Sequence, residues 1–317
     1  MTTVKFMKDI SSKSNTLRIA TAKSVVLTNP DTIEKIRIGD VRGQDPFLIA
    51  RIAAIQAVKN TSLMLPFTHQ VPVDHVNIEF ELTDSAVEIR AEVKAVYKVG
   101  VGMEAMVAAT AAALNLYSTV RCIDRKASIG ETRILKEKGG QASFREVFPR
   151  KLRAGVLVMS DSIASGQKSD LSGKIIVERL EHEGIEVVEY KVIPDDIQMI
   201  QETVTGWCDD KTFDLVMTTG GTGITPRDRT PEALMELLER ELPGIAEAMR
   251  AYGQDRTHYS MLSRSFAGVR GQTLIICFPG SKKGVAESLD AVFPAVLHAF
   301  KMIWGGTYAR HEHEEDE

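Results

Sequence analysis

Between residues 76 and 95 apolar and polar side chains alternate. Val76, Ile78, Phe80 and Leu82 share one face; past Thr83-Asp84-Ser85, so do Val87, Ile89, Ala91, Val93 and Ala95. A period of two interrupted by turn residues predicts two half-buried strands folded back on each other. Upstream, Leu17 to Val26 reads as a strand, and Pro46 to Lys59 has helical spacing through Leu48, Ile52, Ile55 and Val58. Downstream, a long helix from about Gly102 to Arg121 precedes a last strand at Ile129 to Lys136. The order β-α-β-β-α-β predicts a ferredoxin-like α+β domain, its sheet antiparallel with helices on one face. The other sheet face is then left for a partner subunit or domain.

Around Pro149-Arg150-Lys151 the rhythm changes. Ala154 to Ser160, Glu186 to Ile193, Phe213 to Thr219 and Thr273 to Phe278 read as strands without strict alternation. Helical segments lie between and after them: Leu171 to His182, Ile197 to Cys208, Pro231 to Arg240, Ile245 to Tyr252, and one from about Lys283 to Trp304. Such strands separated by helices predict a three-layer α/β domain whose mostly parallel sheet is covered on both faces. The expected division is 1–148, 149–310 and a solvated acidic tail, 311–317.

Composition narrows the function. A chain of 317 residues fits two cores, and 44% hydrophobic with 26% charged residues excludes a disordered or fibrous protein. The net charge of −4 provides no global cationic field for nucleic acid or an anionic membrane. Cys122, Cys208 and Cys277 are too scattered for a disulfide framework and read as reduced thiols. With neither a membrane-length apolar run nor a secretory-type start, a cytoplasmic protein is expected.

In a parallel sheet, ligands gather where the strands end. Here those loops carry Ser160-Asp161-Ser162, then Gly166 to Asp170; Pro194-Asp195-Asp196; Thr218-Thr219-Gly220-Gly221-Thr222-Gly223, running on to Arg227-Asp228; and Pro279-Gly280-Ser281-Lys282. Glycines let backbone amides approach oxyanions, and Ser281-Lys282 opens a helix whose N-terminal amides favour the same charge. Asp161, Asp195 and Asp228 would repel a phosphate lodged there. A hard divalent cation, Mg²⁺, resolves the conflict by bridging carboxylate and phosphate oxygens, with Lys168, Arg227 and Lys282 neutralising the remainder.

The run Thr218 to Pro231, with Ser160-Asp161-Ser162, Ile193-Pro194-Asp195-Asp196, Leu262-Ser263-Arg264 and Phe278-Pro279-Gly280-Ser281, resembles the molybdopterin adenylyltransferase family (MoaB/MogA type) over about Arg153 to Arg310. That resemblance implies a trimer-forming fold and a reaction in which the terminal phosphate of molybdopterin attacks the α-phosphorus of MgATP, releasing pyrophosphate. It implies Asp195 and Asp228 as the essential acidic pair, for catalysis and for Mg²⁺. The candidate substrate and nucleotide set is Ser160, Asp161, Thr219, Gly220, Gly221, Thr222, Gly223, Arg227, Ser281 and Lys282. Phosphoryl-type transfer depends on positioning and charge neutralisation rather than on a covalent nucleophile, which fits these residue types.

Earlier in the chain, Ala50 to Lys59, Leu65 to His69, Gly100 to Ala105 and Gly139-Gly140 resemble the cyclic pyranopterin monophosphate synthase family (MoaC type), over about Met1 to Phe144. That family forms dimers and hexamers and rearranges a GTP-derived triphosphate into a cyclic phosphate. The chain departs from its pattern: Ile38 replaces the lysine before Gly39-Asp40-Val41, Gly102-Met103-Glu104 replaces Glu-Met-Glu, Ser118 and Arg121 replace Asp and Lys, and Thr68-His69-Gln70 replaces Cys-His-Pro. His69, Glu104 and Arg121 remain as a residual site. Arginine does not trade protons near neutral pH and isoleucine has none to trade. The expectation is a homo-oligomer, trimer or hexamer, of molybdenum cofactor biosynthesis. Its second half is the adenylyltransferase and its first half a scaffold or residual pterin surface, alongside other enzymes of the same route. A fully bifunctional enzyme and a non-catalytic pterin-binding assembly protein are the alternatives.

Overall fold

The computed structural model describes residues 7–305 except 42, 44, 211 and 212; the acidic tail at 311–317 lies outside the described residues. The chain divides into two compact units between Ser143 and Phe144.

The first unit contains β1 (Thr16–Leu27), β2 (His75–Leu82), β3 (Ala86–Tyr97) and β4 (Ser128–Lys138), in the order β2-β3-β1-β4 with every pairing antiparallel. The alternation along β3 lands as expected, with Val87, Ile89, Ala91, Val93 and Ala95 all buried. Helix Gly102–Val120 turns Ala105, Ala108, Ala109, Ala112, Ala113 and Leu116 into the core. The face predicted for helix Pro46–Lys59 is corrected. Ala50, Ala54 and Val58 are buried, whereas Leu48 and Ile52 are 50% and 59% exposed. Two alanine faces let these helices lie close, and the larger side chains are turned outward. Helix Pro30–Arg37 is an addition to the expected order; Asn29 caps it by accepting the Thr32 amide at 2.8 Å, and Pro30 sits at its first turn.

The second unit has a six-stranded sheet in the order β6-β5-β7-β10-β9-β8: β5 (Arg153–Met159), β6 (Glu186–Ile193), β7 (Leu215–Thr219), β8 (Arg240–Glu241), β9 (Phe266–Arg270) and β10 (Thr273–Phe278). The four expected strands are parallel; β9 and β8 are additions, β9 pairing antiparallel with β10 and β8 antiparallel with β9. Alternate residues serve two cores. Val156, Met217 and Ile276 belong to one, and Leu157, Val216 and Ile275 to the other. That explains the continuous apolar runs.

Three predicted helices are corrected. The last one ends at Val292, because Pro294 has no amide to continue it, and short turns at Ala295–His298 and Ala299–Ile303 follow. The segment expected as Pro231 to Arg240 is helical only over Thr230–Leu234 and Met235–Leu237, after which Arg240 joins β8. Helix Ile197–Thr205 gives way to a wider π turn at Gly206–Asp210.

The segment leading into β5 is fastened to this unit. Arg150 forms a two-pronged ion pair with Asp214, at 2.6 and 2.7 Å, and its guanidinium lies 4.9 Å from the Trp304 ring centre. Phe148 packs edge-on against Phe300 and Trp304.

Candidate active site

Because β5, β6, β7 and β10 are parallel, the loops after them open at one edge of the sheet. Neighbouring strands β5 and β6 end in register at Met159 and Ile193, which sets Asp161 beside Asp195. Each carboxylate accepts the other's backbone amide at 3.2 Å. The second oxygen of Asp195, Oδ1, is buried without a hydrogen-bond partner among the described residues. Burial holds the Asp195 carboxyl above the ordinary aspartate range, and the charges of Asp161 and Asp228 push the same way. The Asp161 amide and the Arg227 charge oppose this without overcoming it.

Glycines bring the other loops within reach. At Gly220, with φ +103°, a Cβ would lie 2.0 Å from the Met159 carbonyl oxygen, so the chain folds over the end of β5 only without a side chain. At Gly221, a Cβ would meet Thr230 Oγ1 at 2.3 Å and the unpaired Asp195 Oδ1 at 3.2 Å. Thr230 in turn donates to the Gly220 carbonyl at 2.9 Å. Thr219 donates to the Pro279 carbonyl at 2.7 Å and Ser172 to that of Gly280 at 2.9 Å, which ties the loop after β10 to the same edge. Ser281 caps helix Lys282–Val292 by accepting the Gly284 amide at 3.1 Å.

Asp228 is held differently. Its Oδ2 accepts the Thr225 amide at 2.8 Å and the Thr225 hydroxyl at 2.6 Å. Burial would raise its pKa, but the Thr225 and Gly223 donors and the Arg264 charge outweigh burial and leave the carboxyl below the ordinary aspartate range. Asp195 and Asp228 are thus electrostatically coupled carboxylates tuned in opposite directions. Asp228 lines an open cleft of about 600 Å³ together with Ile197, Ile224, Thr225, Arg229 and Arg264.

Of the expected set, Asp161, Asp195 and Gly221 stand in direct proximity, and Asp228 acts on Asp195 through space. Thr219 and Gly220 are joined to the Pro279-Gly280 loop that leads to Ser281. Thr222 is buried and its carbonyl accepts the Arg264 amide at 2.9 Å, while Ser160 Oγ lies 3.2 Å from Ser162 Oγ. Arg227, Lys168 and Lys282 are exposed. Among the described residues, no group of three or more His, Cys, Asp or Glu side chains is placed to hold a metal ion. A carboxylate pair still suits Mg²⁺, which takes one or two carboxylates and completes its shell with water and substrate phosphate. The buried, unpartnered oxygen of Asp195 is the atom such an ion would satisfy. Thr225, Thr230 and Arg264 carry roles that the strand-end reasoning did not assign. Their signal was the Thr218 to Pro231 run and the Leu262-Ser263-Arg264 segment.

In the first unit, the three residual candidates are not joined by any hydrogen bond or ion pair among the described residues. His69 Nε2 lies 2.7 Å from the Lys8 carbonyl oxygen, and Arg121 lies over the Tyr117 ring at 5.7 Å. Glu104 is buried, and burial raises its carboxyl above the ordinary range. Ile38, in the lysine position, is exposed.

Comparison with known proteins divides the chain in the same place. The MoaC family pattern matches residues 7–140 and the probable molybdopterin binding domain residues 155–298. A molybdenum cofactor biosynthesis bifunctional protein of Chlorobaculum tepidum is 37% identical over 96% of this chain and 96% of its own length. A molybdopterin adenylyltransferase of Helicobacter pylori is 40% identical over 49% of this chain and 89% of its own. A cyclic pyranopterin monophosphate synthase of Syntrophomonas wolfei is 38% identical over 43% and 88%. Fold, site and relatives together define a two-unit enzyme of molybdenum cofactor biosynthesis. The chain belongs to the family of molybdenum cofactor biosynthesis bifunctional proteins.

Proposed function

We propose that the second unit transfers adenylate from ATP to molybdopterin. The observation that carries this reading is the unpartnered Asp195 oxygen set against a glycine-lined loop, with a second carboxylate coupled to it. The Gly220–Gly223 amides and the helix start at Ser281 orient phosphate oxygens, while Arg227 and Lys282 neutralise charge from the exposed side. Asp195 and Asp228 would hold Mg²⁺, which when bound supplies charge neutralisation at the transferred phosphorus. The attacking oxygen belongs to the pterin's own terminal phosphate and is already ionised at neutral pH. The protein therefore has no proton to remove and acts by alignment. The terminal phosphate oxygen bonds to the α-phosphorus as the bond to the pyrophosphate oxygen breaks.

In this reading the first unit serves as a scaffold or residual pterin surface in a cytoplasmic homo-oligomer, trimer or hexamer. Among the described residues no helix is long and apolar enough to cross a membrane. A second reading, in which the first unit also forms the cyclic phosphate, is favoured by the full-length bifunctional relative.

One assay tests both. The full chain is offered molybdopterin with MgATP, and separately the GTP-derived triphosphate. Adenylylated molybdopterin with equimolar pyrophosphate is expected from the first, and no cyclic phosphate from the second. Cyclic phosphate establishes the second reading, and molybdopterin binding without pyrophosphate overturns the first.

A further inference from the structure

We propose that Arg264 is the positioning residue of the adenylylation site, holding the 222–228 loop so that Asp228 stays in register with Asp195. The inference rests on the adenylylation reading above.

Arg264 lies outside the four strand-end loops, just ahead of β9 on the antiparallel side of the sheet. From there it binds both ends of the loop that carries Asp228. Its backbone amide donates to the Thr222 carbonyl at 2.9 Å and its Nε to the Gly223 carbonyl at 2.7 Å. One terminal nitrogen donates to the Asp228 carbonyl, and the other to the Glu232 carboxylate. The remaining bonds of this stretch among the described residues stay within the loop. Asp228 and Thr225 bond each other, Arg229 bonds the Pro226 carbonyl at 3.2 Å, and the Thr230 amide closes on the Gly221 carbonyl at 3.1 Å. Those contacts give the loop its shape, whereas Arg264 fixes its place on the sheet.

Ile224, Thr225, Pro226 and Arg227 are all exposed, so little packing would hold the loop if that guanidinium were lost. A planar fork with several donors is required to reach two carbonyls and a carboxylate together. A lysine ammonium, a point charge on a flexible stem, does not reproduce it. Misplacing a catalytic group by about 1 Å costs on the order of 10²-fold in rate. Arg264 accordingly acts through Asp228 rather than on the substrate.

The test uses the full chain and the variants Arg264→Lys, Arg264→Ala and Glu232→Gln, read in two ways. In steady-state adenylylation, Arg264→Lys should lose about 10²-fold in kcat, with a smaller change in the KM for MgATP. Added guanidinium should restore part of the Arg264→Ala activity and none of that of Asp228→Asn. In limited trypsin digestion, cleavage after Arg227 and Arg229 should speed up at least about tenfold in Arg264→Lys. Glu232→Gln should lie between wild type and Arg264→Lys in both readouts, and it serves if Arg264→Ala does not fold. Wild-type kcat in Arg264→Lys, or a loss that follows the folded fraction while the loop is cut at the wild-type rate, overturns the proposal. A wild-type chain that makes no adenylylated product refutes the adenylylation reading instead, and the digestion still decides whether Arg264 anchors the loop.

Discussion

Asp161 and Asp195 each accept the other's backbone amide, at 3.2 Å in both directions, across the ends of two neighbouring parallel strands. Two carboxylates are thereby held together with one oxygen, Asp195 Oδ1, buried and unpaired. Such an arrangement costs folding free energy and is retained where a ligand compensates for it.

Asp195→Asn should therefore leave the protein at least as stable at neutral pH while lowering adenylylation by on the order of 10²-fold or more. The sign follows from the raised carboxyl. A folded-state value above the unfolded one gives stability that is full below the unfolded value and is lost as pH rises through the folded value. Thermal melts from pH 4 to pH 8 should show this decline in the wild type and a flatter profile in the variant. A clearly less stable variant at pH 7 contradicts the electrostatic reading.

Gly220→Ala and Gly166→Ala separate steric overlap from backbone strain. Both glycines have positive φ, but a Cβ at Gly166 meets nothing within 4 Å, whereas at Gly220 it meets the Met159 carbonyl oxygen at 2.0 Å. Gly166→Ala should cost about 1–2 kcal/mol, Gly220→Ala more than about 3 kcal/mol. Denaturant midpoints check both, and equal losses would remove the close approach from the account of the loop.

Asp214→Ala tests the fastening of the entry segment. Asp214 is 5% exposed in its side chain and binds Arg150 twice and the Arg153 amide at 2.8 Å. Arg150 is half exposed, so the loss is expected at about 2–3 kcal/mol, below that of a fully buried pair. Asp214 lies at the starts of the strands, away from the site, so kcat per folded molecule should be unchanged. A selective loss of activity would show that the two edges of the sheet are coupled.

Glu104→Gln addresses the first unit. Burial raises this carboxyl, so its ionisation weakens the fold as pH rises through the raised value, and the amide should stabilise the unit at neutral pH. Hydrogen exchange within helix Gly102–Val120 reports on it directly. If exchange at pH 7 speeds up, Glu104 is held by a partner that favours its charge.

Alternation along β3 and the apolar runs of β5, β7 and β10 were legible because burial on one face or both leaves different periods in the sequence. β9 and β8 were not. Phe266–Arg270 is short and interrupted by Gly268, and Arg240–Glu241 is polar and exposed. The inward face of helix Pro46–Lys59 was misread because large apolar residues outrank alanine on any hydrophobicity count. Close helix packing selects the alanines instead. At the site, residue types at strand ends pointed to Asp161, Asp195 and Asp228. The opposite tuning of Asp195 and Asp228, and the grip of Arg264 on a loop some 40 residues earlier, depend on contacts that no local pattern encodes.

The most direct test of the acidic site is equilibrium binding of ATP with and without Mg²⁺, to the wild type and to Asp195→Asn. Wild-type protein should bind MgATP and lose at least about tenfold in affinity when Mg²⁺ is chelated, whereas the variant should bind metal-free ATP more tightly than the wild type does. Equal wild-type affinity for ATP with and without the cation would contradict the assignment of these carboxylates.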